Sequence, residues 1–413
     1  MKELILITDA YPWGKGEKSF LTPELPYLQK EFKLTILSRA PKKWIEKDRV
    51  ELDESIDVIH YLEPEFGRKE MLRYLPKALF SKELRAEMHL LRKEKAGKEC
   101  IRETYVFWIR AVKFHKWMLE KGIFDNVKNK LFYSYWANHS TLSLSMEKKK
   151  NPYIKFVSRA HRYDLYNEAA HGGRQPFKKY IDRWVDKMIF IAKEGLDYYL
   201  EHFAVDKTAA DKYELRKLGV ETPATYPQKE DKDVFRLVSC SSVDKRKRVD
   251  MIVNALAELE HPIEWHHFGD GPDMDELRSV TKSKLDKKKN IDYVLHGHVV
   301  NTEVLQFYQK NWVDGFITTS SSEGSPVSMQ EAMAYGVPVI GTAVGEIPFM
   351  IRECGILLSE NPSVEDVKKA ISKLYETKED EMDQLRRNAV KVWEDDYQLE
   401  INAAEFVNTL VNI

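Results

Sequence analysis

From about residue 234 onward the chain alternates between short β-branched, apolar runs and longer stretches that carry one apolar face. The runs 234–240, 263–268, 291–295, 315–319, 337–341 and 355–358 predict strands, and 249–260, 273–285, 302–311, 327–335 and 364–376 predict the helices between them. Apolar strands that each feed a helix predict a parallel sheet covered on both faces. Such sheets bind ligands just beyond the carboxyl ends of their strands. The first half repeats the theme less cleanly, with strands at 4–8, 34–38, 131–135, 154–158 and 188–192 and an amphipathic helix over 19–32. Residues 68–121 read as helical, and 388–413 as two helices anchored by Trp393, Tyr397, Leu399, Ile401 and Phe406. The segment 221–232 (ETPATYPQKEDK) is polar, holds two prolines and has no period, which predicts a linker. The chain therefore divides into a domain over 1–228 with a helical basic insertion, a second domain over 229–394, and a terminal helix over 395–413.

Composition narrows the partners. The 65 Lys and Arg against 66 Asp and Glu leave a net charge of −1, so chain-wide binding to nucleic acid is not expected. The basic charge is local: residues 68–121 hold fifteen Lys or Arg against seven Glu, interleaved with aromatic and aliphatic residues. That mixture suits contact with an anionic membrane surface. Cys100, Cys240 and Cys354 share no zinc or redox spacing, which fits a reducing compartment. The first apolar stretch ends at Thr8-Asp9, too short for a signal peptide, and no run is long enough to cross a bilayer. The expected setting is cytoplasmic, with peripheral contact on the inner face of the cell membrane.

The most informative window is 318–348, TTSSSEGSPVSMQEAMAYGVPVIGTAVGEIP, which reads strand, Ser-rich turn, helix, Gly, strand. Ser325 can cap the helix, Pro326 suits its first position, and Gly336 suits a left-handed stop. The first turn, with Val327 and Ser328, offers N–H groups and a partial positive charge to a diphosphate. Glu323 precedes the helix. Glu331 sits inside it on an otherwise apolar or small segment, where a carboxylate needs a buried polar partner. A ribose diol, with two hydroxyl donors, would suit it.

Glu323, seven residues, Glu331, then Ala332-Met333-Ala334 and Gly336-Val337-Pro338-Val339-Ile340 resemble the signature of the retaining family 4 (group 1) glycosyltransferases. Gly269-Asp270-Gly271-Pro272 is similar to the family's Gly-x-Gly-Pro turn. His296-Gly297-His298-Val299 resembles its loop beside the nucleotide base, and Lys247-Arg248-Val249-Asp250 its Lys-Gly-Val-Asp segment. The resemblance implies a GT-B fold: α/β, two Rossmann-like domains facing across a cleft, with a C-terminal helix crossing back to the first domain and burying Phe406, Leu410 and Val411 there. It implies sugar transfer from a UDP- or GDP-linked donor to a glycan or lipid-linked acceptor hydroxyl, with retention, in surface polysaccharide or glycolipid synthesis. Lys247 would hold the diphosphate, Glu331 the ribose and Glu323 the sugar hydroxyls. His161, closing the strand that ends Ser158-Arg159-Ala160, would contact the sugar from the other domain. Retention in this family is written as same-face attack, with the departing phosphate accepting the acceptor's proton.

Gly14-Lys15-Gly16-Glu17 resembles the family's acceptor-side Gly-rich loop, in which Gly16 would take part. It is no P-loop, because Gly16-Glu17-Lys18-Ser19 breaks the required Gly-Lys-Ser/Thr ending. Other positions depart from the family. Ser242 stands where an Arg is usual, so Arg246 or Arg248 would supply the missing charge. Glu346 replaces the second Gly of a Gly-Gly-x-Pro-Glu segment, and Phe349 its final Glu. His266 and His267 point to opposite faces of a strand, which favours structural placement over a metal site. No strand ends in Asp-x-Asp, so neither a metal nor a further cofactor is implied. Two other readings share the fold, a sugar-nucleotide epimerase and a non-catalytic partner subunit. The pairing of Glu323 and Glu331 with Lys247-Arg248-Val249-Asp250 weighs against the first; Glu323, Glu331, Lys247 and His161 together weigh against the second, and Ser242 mildly for it.

Overall fold

In a computed structural model of the chain, residues 1–14, 16–45, 49–63, 67–229 and 234–413 are described, without the side chains at 43 and 210. Lys15 of the Gly-rich loop and the linker residues 230–232 lie outside that set. Two compact units result, one of Met1–Arg216 with Ala403–Ile413, the other Lys217–Asn402. These divisions fall at 216/217 and 402/403, whereas the sequence pattern predicts 228/229 and 394/395.

The first unit holds seven parallel strands: β1 (Lys2–Thr8), β2 (Phe32–Ser38), β3 (Asp57–His60), β4 (Lys130–Ser134), β5 (Phe156–Ala160), β6 (Lys187–Phe190) and β7 (Tyr213–Leu215). Their order is β3-β2-β1-β4-β5-β6-β7. The edge strands β3 and β7 are short and weakly patterned, and the sequence did not mark them. Period-two alternation sends Ile5 and Ile7 into a core with Trp108 and Phe114 of the helix Lys98–Glu120. Leu4 and Leu6 face the opposite core, with Leu21, Leu25 and Leu28 of the helix Lys18–Glu31 and Phe406, Val407 and Leu410 near the chain end. There Arg159 is fully buried, bonds both oxygens of Glu24 (2.8 and 3.0 Å), and lies 4.1 Å from the Phe406 ring centroid.

The second unit holds β8 (Phe235–Cys240), β9 (Ile263–Phe268), β10 (Ile291–Gly297), β11 (Gly315–Thr318), β12 (Val339–Thr342) and β13 (Gly355–Leu358). All pair in parallel, in the order β10-β9-β8-β11-β12-β13, so the winding reverses between β8 and β11. Val238, Phe316 and Val339 face one core, and Leu237, Ile317 and Ile340 the other. The helix Leu399–Val411 starts in this unit, where the Leu399 N–H donates to the Val220 carbonyl (3.1 Å), and ends in the first. Trp393, Tyr397 and Leu399 are buried as anchors, but Ile401 and Val411 are about half exposed, because they fall on the helix's outer face. Among the described residues no helix is long and apolar enough to cross a membrane.

Candidate functional site

The ends of β8 and β11 flank the reversal point of the second sheet, and their loops are tied together. After β8, Asp244 accepts from the Ser242 hydroxyl (2.8 Å) and the main-chain N–H groups of Arg246 (3.0 Å) and Lys247 (3.2 Å). This curls the loop until Arg248, at φ +50°, starts the helix Val249–Ala257. The Thr319 hydroxyl donates to the Arg248 carbonyl (2.8 Å), and the Arg248 guanidinium bonds the carbonyls of Thr319 (2.6 Å), Ser320 (3.1 Å) and Glu360 (2.9 Å). Arg248 is thus a clamp between loops, with its Nη1 on Asn361 (3.2 Å). Arg246 is less committed: it reaches the Ser322 carbonyl (3.3 Å) and Asp244 (3.4 Å) and is partly exposed. Lys247 points the other way and pairs with the Glu323 carboxylate.

The Gly-x-Gly-Pro turn after β9 owes its glycines to close approach. A Cβ on Gly269 would lie 1.8 Å from the Ser241 carbonyl oxygen, and one on Gly271 2.2 Å from that of Val243. Only bare backbone lets this turn pack on the loop that carries Lys247. The Gly269 N–H donates to the Gly297 carbonyl (2.9 Å), which ties in the end of β10. His298 beyond it is exposed.

The helix after β11 runs Val327–Ala334, with Pro326 as its N-cap residue and not its first helical one. Ser325 does not cap it. The side-chain amide of Gln330 donates to its hydroxyl (2.8 Å) in a buried setting, which holds the serine away from the helix end. Gly336 does end the helix, at φ +68°. Val327 and Ser328 occupy the first turn, where a helix leaves its leading N–H groups without intrahelical acceptors, while the Met329 N–H already donates to the Pro326 carbonyl (3.1 Å). Glu331 is buried, and the Asn301 side-chain amide donates to its carboxylate (2.7 Å). Burial pushes the Glu331 carboxyl up to about 7, with the Asn301 bond opposing. Behind it the buried Tyr308 hydroxyl has no hydrogen-bond partner among the described residues.

One departure from the family pattern, Glu346, acquires a reason. Glu346 is buried beside the Lys217 ammonium (3.2 Å) and accepts from the Tyr397 hydroxyl (3.3 Å), so an acid replaces a glycine as part of a core ion pair. His266 bonds His296 (2.9 Å) and Glu264 (3.1 Å), while His267 bonds the Ser239 hydroxyl (2.9 Å) from the other face. Among the described residues no group of three or more His, Cys, Asp or Glu could hold a metal ion.

In the first unit, His161 follows β5, buried, with its ring 4.6 Å from Tyr135 and 4.5 Å from Trp136. Neither ring nitrogen has a hydrogen-bond partner among the described residues. Burial, and then the Arg159 charge, push it well below the ordinary histidine range, so the ring is neutral. Asp164 holds its position by accepting from the main-chain N–H groups of His161 (2.7 Å) and Ala137 (2.5 Å). Gly16 leads into Glu17, a buried acid with no mark in the sequence beyond its place in the loop. Its carboxylate accepts from the N–H groups of Asp9 (2.9 Å), Ala10 (2.7 Å) and Tyr11 (2.7 Å) and from the Trp136 indole (2.6 Å). Also unmarked, buried Arg39 pairs with Asp9 (2.9 Å) and Glu63 (3.1 Å) at the carboxyl ends of β1 to β3. Asn301, Asp244 and Thr319 in the second unit were likewise invisible, since a lone Asn, Asp or Thr in a loop carries no periodic signal.

Residues 234–377, within the second unit, match the family described as Glycosyl transferases group 1. The whole chain takes the two-domain GT-B fold. It is similar to the lipopolysaccharide outer core galactosyltransferase WaaB (14% identity, TM-score 0.65, covering 99% of each chain). It is similar to sucrose-phosphate synthase from Thermosynechococcus elongatus (14%, TM-score 0.69, 100% of this chain and 99% of that one). A third likeness is Anabaena HepE in complex with UDP-glucose (12%, TM-score 0.66, 100% of each). No curated protein matches the chain.

Proposed function

We propose that the protein transfers a sugar from a nucleoside-diphosphate donor to an acceptor hydroxyl with retention at the anomeric carbon, needing no metal or further cofactor. The observation that carries the reading is the convergence of Lys247, Glu323 and buried Glu331 beyond the carboxyl ends of β8 and β11. The ribose diol takes Glu331, whose carboxylate accepts from Asn301 through one oxygen, leaving carboxylate capacity for hydroxyls. The diphosphate lies against Lys247, Arg246 and the first turn at Val327 and Ser328, where negative charge grows as the leaving group departs. Glu323 accepts from the sugar hydroxyls, and the base stacks near Gly297 and His298. For His161 the assignment to the donor sugar rests on its motif and on two ring nitrogens without partners among the described residues.

The similar HepE structure is in complex with UDP-glucose, which supports a UDP-sugar as the first donor to test. The acceptor is a glycan or lipid-linked saccharide of surface polysaccharide or glycolipid synthesis, on the cytoplasmic side. The test is slow nucleotide release from a panel of UDP-, GDP- and ADP-sugars, with the anomer of the released sugar followed by NMR. Release from one donor with retained configuration is expected. No release from any donor, with no nucleotide binding, would leave a non-catalytic subunit as the better account.

A further inference from the structure

The helix Arg68–Phe80 has no buried residue. Its inner side rests on the first unit's core through Met71, Tyr74 and Ala78, and the Tyr105 hydroxyl donates to the Met71 carbonyl (2.9 Å). The outer side is apolar where solvent would favour polar groups. Leu72 is 64% exposed, Leu75 48%, Leu79 71% and Phe80 83%. The spacing of three and four residues puts the leucines on one stripe, and Phe80 extends it at the helix end. Exposed Arg68, Lys69, Arg73, Lys77 and Lys82 surround that stripe. The one acid of the helix, Glu70, is drawn inward to Lys113 (3.2 Å).

We infer that this face is a docking surface for an anionic lipid bilayer. The apolar stripe enters the acyl boundary while the cations, on flexible stems, reach the headgroups. The charge distribution selects this occupant over a second copy of the chain, since self-association would press one cationic ring against another. The shape agrees: four large side chains protrude from a helix, which suits a deformable surface better than a preformed groove. The inference is independent of the sugar-transfer chemistry, because it uses no residue of the second unit.

The experiment is co-sedimentation of the full chain with phosphatidylglycerol-containing vesicles and with pure phosphatidylcholine vesicles, at low and high salt. Binding to the anionic vesicles at low salt, weakened by salt and absent from phosphatidylcholine, is expected. Leu79→Asp with Phe80→Asp should lower partitioning at least about tenfold, because both the insertion and the charge match are lost. Lys69→Gln with Arg73→Gln and Lys77→Gln should weaken binding and flatten its salt dependence. All five positions are exposed, so unchanged thermal melting will confirm that the variants fold. Absence of binding to anionic vesicles at low salt, or binding indifferent to both sets of substitutions, would overturn the inference. So would a wild-type dimer that Phe80→Asp dissolves while no variant touches vesicles.

Discussion

Lys247 and Glu323, 76 residues apart in the chain, form an ion pair that joins the loop after β8 to the loop after β11. Both side chains are largely shielded, at 14% and 9% exposure. Each loop end is shaped independently of this pair: Asp244 curls the first by accepting its main-chain N–H groups, and the second passes close over Gly345. A Cβ on that glycine would fall 2.2 Å from the Glu323 carbonyl oxygen. The pair therefore reports how accurately two separate loops are placed at the reversal point of the sheet.

Lys247→Met and Glu323→Gln should differ in what they damage. Losing the ammonium removes a contact to the diphosphate that free nucleotide also makes, so nucleotide affinity should fall by about 1.5–3 kcal/mol. Losing the carboxylate should lower turnover and leave free-nucleotide affinity nearly intact. Calorimetric titration of both variants with the free nucleoside diphosphate decides it, and equal losses would remove the division of roles.

Glu331 should impose a pH dependence on nucleotide binding. Its carboxyl, held near 7 by burial, is largely protonated at pH 6. Ribose hydroxyls favour the carboxylate, so affinity should rise with pH and level off above about 7, and binding at pH 6 should release a proton. Titrations in two buffers of different ionisation enthalpy measure that release, and Glu331→Gln should abolish it. The same shift acts on stability. Because the folded value exceeds the ordinary 4.5, this group's contribution is full below 4.5 and is lost as pH rises through about 7. In Glu331→Gln that slope should disappear from urea melts taken across this range.

Arg248→Ala should cost stability and not chemistry. Its guanidinium bonds three carbonyls from two loops. Removing it strips those acceptors of their donor, at about 1–3 kcal/mol. A lowered melting temperature with nucleotide affinity within a few fold of wild type is expected. Abolished binding in a folded variant would return Arg248 to the phosphate clamp.

The buried Glu24–Arg159 pair should be sensitive to the loss of one partner. Glu24→Ala leaves a guanidinium uncompensated in the core and should destabilise by about 3–5 kcal/mol. Replacing both with Leu and Met should cost less than Glu24→Ala alone, because no buried charge remains. Phe406→Ala, which opens a cavity over Arg159, should cost about 3–5 kcal/mol. Denaturant midpoints for the four proteins form the test.

How much of this was legible beforehand follows from the range of each interaction. The strands of the second unit could be read because a parallel sheet buried on both faces demands continuous apolar runs such as 235–240 and 315–318, and that demand is local. Gly336 and the buried position of Glu331 were readable for the same reason, since each is fixed by neighbours within a turn. The edge strands β3 and β7 escaped because an edge asks less of its residues. Ser325 has the local pattern of a cap, but that pattern loses to Gln330, whose amide donates to the hydroxyl inside the folded unit. Asn301 beside Glu331, the Arg248 clamp, Glu17 gathering three N–H groups and an indole, and Glu346 beside Lys217 were decided only by tertiary structure. A buried charge must find its partner wherever the fold brings one within about 3 Å, and that distance in space leaves no period in the chain.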